Sequence, residues 1–185
     1  LVVEQWKSSD KPYVIEGLKT GVEYTLRETL APDGYLITSD TTFTIDEEGN
    51  VTSSGTTSTD ANGKPVLVVN DKPIHVEVKK TDIANGKEVA GAKLVVKDSE
   101  GNVVDQWTSS ANGSHLIKNL KTGVEYTLSE TVAPDGYLVT TDITFTVATD
   151  GKVTTTAKKT VDKDGNTVIL VEDEITKLAD RKSVV

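Results

Sequence analysis

Lys80, Glu130 and Asp173 carry the chemistry this sequence has to offer, because each stands where a strand's two-residue period calls for an apolar side chain. Val76, Val78 and Lys80 fall on one strand face, with His75, Glu77 and Lys79 on the other. Val124, Tyr126, Leu128, Glu130 and Val132 form a second such row, and Ile169, Val171 and Asp173 a third. The third row is open to another phase, since Val168, Leu170 and Glu172 are nearly as apolar. A charge aimed at a core is costly unless it is neutral or paired. A desolvated amine that has lost its proton is a nucleophile, and a buried carboxyl kept protonated can move protons. Attack by Lys80 on the Asp173 carboxyl, assisted by Glu130, would expel one water and leave an amide between two side chains. Proximity would replace turnover. The competing expectation is that each polar residue ends its strand and turns out to water, as Lys, Asp and Glu usually do. Three such residues in one repeat weigh against it.

The elements that must position these residues belong to an internal repeat. Residues 2–52 run V-V-E-Q-W, L-K-T-G-V-E-Y-T-L-R-E-T-L-A-P-D-G-Y-L, T-F-T-I and G-N-V-T. Residues 103–154 repeat this as V-V-D-Q-W, L-K-T-G-V-E-Y-T-L-S-E-T-V-A-P-D-G-Y-L, T-F-T-V and G-K-V-T. Glu28 therefore matches Glu130, beside Val22, Tyr24, Leu26 and Leu30. Asp71, in phase with Leu67 and Val69, matches Asp173. Residues 74–101 have no counterpart before the first copy, so that copy has no lysine equivalent to Lys80. The division expected is a β-sandwich lacking its first strands over 1–73, a complete one over 74–177, and the start of a following repeat over 178–185.

Valine and threonine dominate, in the style of strands, and no segment carries helical apolar spacing over three turns. Acidic-glycine turns such as Asp46-Glu-Glu-Gly-Asn and Asp98-Ser-Glu-Gly-Asn punctuate the strands, and Ala-Pro-Asp-Gly-Tyr (31–35 and 133–137) reads as a tight turn. The pattern predicts an all-β architecture of tandem antiparallel sandwiches, prealbumin-like or immunoglobulin-like. Asp162-Lys-Asp-Gly-Asn lacks the ligand spacing and the closing glutamate of a calcium loop, so a plain turn is expected there.

A formal charge of −9 argues against partners held through clustered Lys and Arg, whether nucleic acid or anionic membrane. With no cysteine in the chain, a disulfide cannot staple these small domains. No nucleophile motif, metal cluster or phosphate loop supports a turnover enzyme. Trp6 and Trp107 are expected in cores rather than at a ligand, and His75 and His115 as surface or strand residues without a role.

The run V-x-V-x-K-x-D, then G-K-E-V-A-G-A-K-L-V-V-K-D, then Y-T-L-x-E-T-x-A-P-D-G-Y and T-F-T-V, resembles the Cna protein B-type (prealbumin-like) domains of Gram-positive pilins and surface adhesins. The resemblance covers nearly the whole chain. It implies a compact sandwich in which a first-strand lysine forms an isopeptide bond to an Asn or Asp on the last strand, assisted by a glutamate. Carried onto this sequence, it gives Lys80, Glu130 and Asp173 in the second copy, and Glu28 and Asp71 in the first. Asn70 is the alternative acceptor in the first copy, and Lys79 competes with Lys80.

The function expected is a stalk or spacer in a cell-surface adhesin or pilin. The alternative is a ligand-binding module for a host matrix protein or polymer. The expected partners are neighbouring repeats and host extracellular matrix, with the chain monomeric. No cofactor or metal is expected. The expected location is the cell surface, attached to the cell wall.

Overall fold

The structure is a computed structural model that describes residues 1–178. The expected start of a third repeat lies, from residue 179 onward, outside the described residues. By contacts the chain forms two compact units. One holds Leu1–Thr29 and Thr38–Asn70; the other holds Leu30–Ile37 and the chain from Asp71 onward. The described residues form fourteen strands and contain no helix.

The first unit has a three-stranded antiparallel sheet of β1 (Tyr24–Leu26), β2 (Thr41–Ile45) and β3 (Val51–Ser53). A separate hairpin joins β4 (Thr56–Thr59) to β5 (Pro65–Val68). Phe43 is its buried hydrophobic residue, and Tyr24 stacks on it at 5.6 Å between ring centroids. The row predicted to face a core fails at both ends, for Val22 and Leu30 lie outside β1 and are exposed. A strand of three residues carries no pleat far enough to turn them inward.

The second unit is a sandwich. One sheet contains β7 (Lys93–Lys97), β8 (Val103–Thr108), β10 (Glu125–Val132), β11 (Ile143–Val147) and β12 (Val153–Thr155), in the order β12-β11-β10-β7-β8. The other orders β13 (Lys159–Val161), β14 (Thr167–Asp173), β6 (Val76–Asp82) and β9 (His115–Leu116) as β13-β14-β6-β9. Val76, Val78, Leu94, Val96, Tyr126, Leu128, Phe145, Val147, Ile169 and Val171 make one core cluster from both sheets.

One pairing departs from the antiparallel expectation: β14 lies parallel to β6, with Val171 opposite Lys80 and Asp173 opposite Asp82. Parallel neighbours need a long crossover, and here nearly the whole unit intervenes. The ambiguous phase of β14 is also resolved, since Ile169, Val171 and Asp173 are buried while Leu170 and Glu172 are partly exposed.

The turns follow their chemistry. Asp162 Oδ1 accepts the backbone N–H groups of Asp164 and Asn166, both at 2.8 Å, so the Asp162–Asn166 segment is a side-chain-braced hairpin turn. Tyr137 N–H donates to Pro134 O at 3.1 Å across a turn whose Gly136 has φ 84°, a conformation glycine adopts without penalty. Phe145 lies at the centre of the packing. Truncation to Ala should destabilise the second unit by about 3–5 kcal/mol, measured by guanidinium unfolding in a chain that also carries Lys80→Ala.

Candidate functional site

Alternation along three strands brings the predicted residues of the second copy together. Lys80 follows Val76 and Val78 on the inner face of β6, Glu130 follows Tyr126 and Leu128 on β10, and Asp173 closes the inner row of β14. A register shift in the β10–β7 pairing falls between Glu130 and Val132. It bends the strand just past the carboxyl and leaves Val132 exposed, against the expectation for that row.

The three side chains are sealed, with relative exposures of 1 % for Lys80 and 0 % for Glu130 and Asp173. Lys80 Nζ makes a direct ion pair with Asp173 Oδ1 and stands 3.3 Å from Glu130 Oε1. It also lies 3.5 Å from Val171 O. Glu130 Oε1 and Asp173 Oδ2 have no hydrogen-bond partner among the described residues. Burial pushes the Glu130 carboxyl above the usual carboxylate range. The Thr140 amide and the Lys80 charge oppose that rise, and the Asp173 charge adds to it.

Lys79, the competing lysine, points to the other face, where its Nζ pairs with Glu88 Oε1 at 3.2 Å. Glu172 likewise faces outward and pairs with Lys158 at 2.9 Å. Strand phase thus separates Lys80 from Lys79, and packing of β14 separates Asp173 from Glu172.

Strand phase gave no sign of Thr140. Its backbone N–H donates to Glu130 Oε2 at 2.7 Å, and its hydroxyl lies 2.9 Å from Glu172 O and contacts Asp173 Oδ1. The segment after the Ala-Pro-Asp-Gly-Tyr turn brings it there by running beside the end of β14. Leu138 N–H donates to Glu174 O at 2.9 Å, and Thr176 N–H to Gly136 O at 2.8 Å. The turn's Tyr137 hydroxyl donates to Asp82 Oδ2 at 3.0 Å, tying the same segment to the end of β6. The signal that could have found Thr140 is its recurrence as Thr38, at the same place after the turn in the first copy.

In the first unit Glu28 is half-buried and accepts the Thr38 N–H at Oε2, at 2.7 Å. The Thr38 hydroxyl lies 3.4 Å from Asn70 O. Asn70 itself is exposed, whereas Asp71 is half-buried and groups with the second unit. No lysine within residues 1–73 stands at the place of Lys80.

His115 lies on β9 and His75 just before β6, and each contacts a carboxylate. His115 stacks on Trp107 at 4.0 Å and bonds Asp105 Oδ2 at 2.9 Å. His75 lies 2.8 Å from Glu77 Oε1 and 3.9 Å from Asp162 Oδ2. Alternation puts Glu77 on the same face as His75, whereas Asp162 reaches His75 from a distant turn and Asp105 reaches His115 from the preceding β8. Trp107 is partly buried against the core, and Trp6 stacks on Tyr13 at 4.6 Å.

The second unit is a two-sheet sandwich with a buried lysine–carboxylate cluster that includes its first and last strands, as a prealbumin-like module. The chain belongs to the family of SpaA prealbumin-like fold domains, matched over residues 2–67 and 74–163. It is 30 % identical to the serine-aspartate repeat-containing protein F of Staphylococcus epidermidis, over 71 % of this chain and 8 % of that protein. It spans only a small part of that relative's length. Its fold is similar to that of the C-terminal fragment of the pilus adhesin SpaC from Lactobacillus rhamnosus GG. The TM-score is 0.50 at 23 % identity, covering 88 % of this chain and 80 % of the fragment.

A raised carboxyl takes up a proton on folding, so its contribution to stability is present at low pH and lost as pH rises through its folded value. In a Lys80→Met chain, which keeps Glu130 buried, the urea midpoint should fall as pH rises from the ordinary carboxylate range, about 4.3, towards neutrality. Adding Glu130→Gln should flatten that slope.

Proposed function

We propose that this chain is part of the stalk of a bacterial cell-surface adhesin or pilin, and that its second module locks itself with an amide between Lys80 and Asp173. The observation that carries this reading is the dry contact between the Lys80 amine and the Asp173 carboxyl, with Glu130 alongside. A buried ion pair with unsatisfied oxygens is expensive to maintain. Amide formation removes both charges and one of the acidic oxygens.

The atoms balance without a cofactor. Glu130 gives its proton to the Asp173 carboxylate and then takes one from the Lys80 ammonium, freeing the amine to attack Asp173 Cγ. The carbon–nitrogen bond forms, a carbon–oxygen bond breaks, and one water leaves. Glu130 ends as it began, and the surrounding apolar wall holds the reactants together. The bond joins β6 to β14, the first and last strands of the module, so the segment between them is closed covalently. In a chain without cysteine it does the work of a disulfide. A module closed in this way resists pulling at its ends, which suits a tether at a cell surface. Neighbouring repeats of the same protein would be its immediate partners, with the whole array outside the cell and fixed to the wall.

Residues 1–73 hold Glu28 and Asp71, the match of Asp173, but no stretch matching β6 falls within them, so we assign the bond in the second copy alone.

Intact mass tests this directly. The wild-type chain should weigh one water less than its sequence. Lys80→Ala and Glu130→Ala should restore the full mass, and Lys79→Ala should keep the deficit. A wild-type chain of full mass would defeat the proposal, and loss of the deficit in Lys79→Ala would move the bond to the wrong lysine.

A further inference from the structure

We propose that Thr140 is the positioning residue of the amide-forming site, acting on Glu130 through its backbone and on Asp173 through its hydroxyl. The inference rests on the Lys80–Asp173 reading above.

Thr140 touches every member of the cluster. Its N–H holds Glu130 Oε2 at 2.7 Å, which leaves Oε1 as the oxygen 3.3 Å from Lys80 Nζ. Its hydroxyl contacts Asp173 Oδ1 and lies 3.5 Å from Lys80 Nζ. A hydroxyl has one proton to give and two lone pairs. Thr140 Oγ1 can therefore donate to the acidic oxygen that remains as the amide carbonyl while accepting a hydrogen bond from the Lys80 Nζ, whose proton goes to Glu130. Donation to that oxygen draws electron density from Asp173 Cγ, the atom under attack, and fixes the carboxyl plane relative to the amine. The branched Cβ restricts the hydroxyl to few orientations, so little freedom is lost in holding it there.

The first unit repeats the arrangement around Glu28. Thr38 N–H holds Glu28 Oε2 at 2.7 Å, and the Thr38 hydroxyl again reaches the backbone carbonyl, that of Asn70, which precedes the acceptor aspartate. The threonine thus travels with the glutamate as one unit of the repeat.

The experiment is a short cell-free synthesis of the full chain, followed by a chase in which intact mass is recorded over time. Thr140→Val keeps the shape and the backbone amide and removes only the hydroxyl. It should acquire the one-water deficit more slowly than wild type, by a factor of about ten, the size expected for one lost hydrogen bond. Thr140→Ser, which restores the hydroxyl, should recover most of the rate. A wild-type chain that never loses water defeats the bond itself. A wild type that links while Thr140→Val links equally fast overturns this inference alone, as does Thr140→Ser no faster than Thr140→Val. The same Val substitution in a Lys80→Ala chain, where no bond can form, should leave the urea midpoint close to that of Lys80→Ala. A collapse of that midpoint would make Thr140 a structural tie and overturn the positioning role.

Discussion

The second module is organised around the desolvation of three ionisable side chains. Water would solvate Lys80, Glu130 and Asp173 far better than a sandwich interior does, and the fold denies them that water by closing two sheets over them. What they receive in exchange is one another, a threonine and a few backbone groups. The arrangement holds only if β6 and β14 lie side by side, since they carry the amine and its acceptor. The parallel pairing of the first and last strands is therefore the feature on which the site depends. The apolar residues beside the cluster, Val78, Leu128 and Val171, exclude solvent and fix the strand faces.

The second requirement is a third element that reaches the cluster from outside the two pairing strands. The Ala-Pro-Asp-Gly-Tyr turn supplies it. Its glycine reverses the chain, its tyrosine ties the segment to Asp82 at the end of β6, and the residues after it run along the end of β14. Thr140 is delivered to the cluster by these backbone contacts. A threonine on such a segment addresses Glu130 with its backbone N–H and Asp173 and the Lys80 amine with its hydroxyl.

The repeat carries part of the site into both copies. Glu28 and Thr38 keep the hydrogen bond that Glu130 and Thr140 make, at the same 2.7 Å. The stacked tyrosine–phenylalanine pair is kept too, Tyr24 on Phe43 and Tyr126 on Phe145. Those contacts are local to the shared strands and the turn. The stretch equivalent to residues 74–101 does not fall within residues 1–73, and the contacts shared by the two copies are those of the later strands and the turn.

By itself the sequence determined the strand faces wherever polar and apolar residues alternate cleanly. It placed Lys80 inside and Lys79 outside, and it put Glu130 in the core row with Tyr126 and Leu128. The repeat and the aspartate–glycine turns marked the strands and their order, because those signals depend on neighbours a few residues apart. Tertiary structure alone decided the rest. It chose the face of β14, where both rows are apolar and only packing against the opposite sheet distinguishes them. It set β14 parallel to β6, turned the ends of the Val22–Leu30 row outward, and brought Asp162 to His75 and Asp105 to His115. It also placed Thr140, whose contacts come from chain reversal and from a strand more than thirty residues away. Periodicity reads a side chain's direction from its own strand, whereas these outcomes depend on which distant segment arrives to meet it.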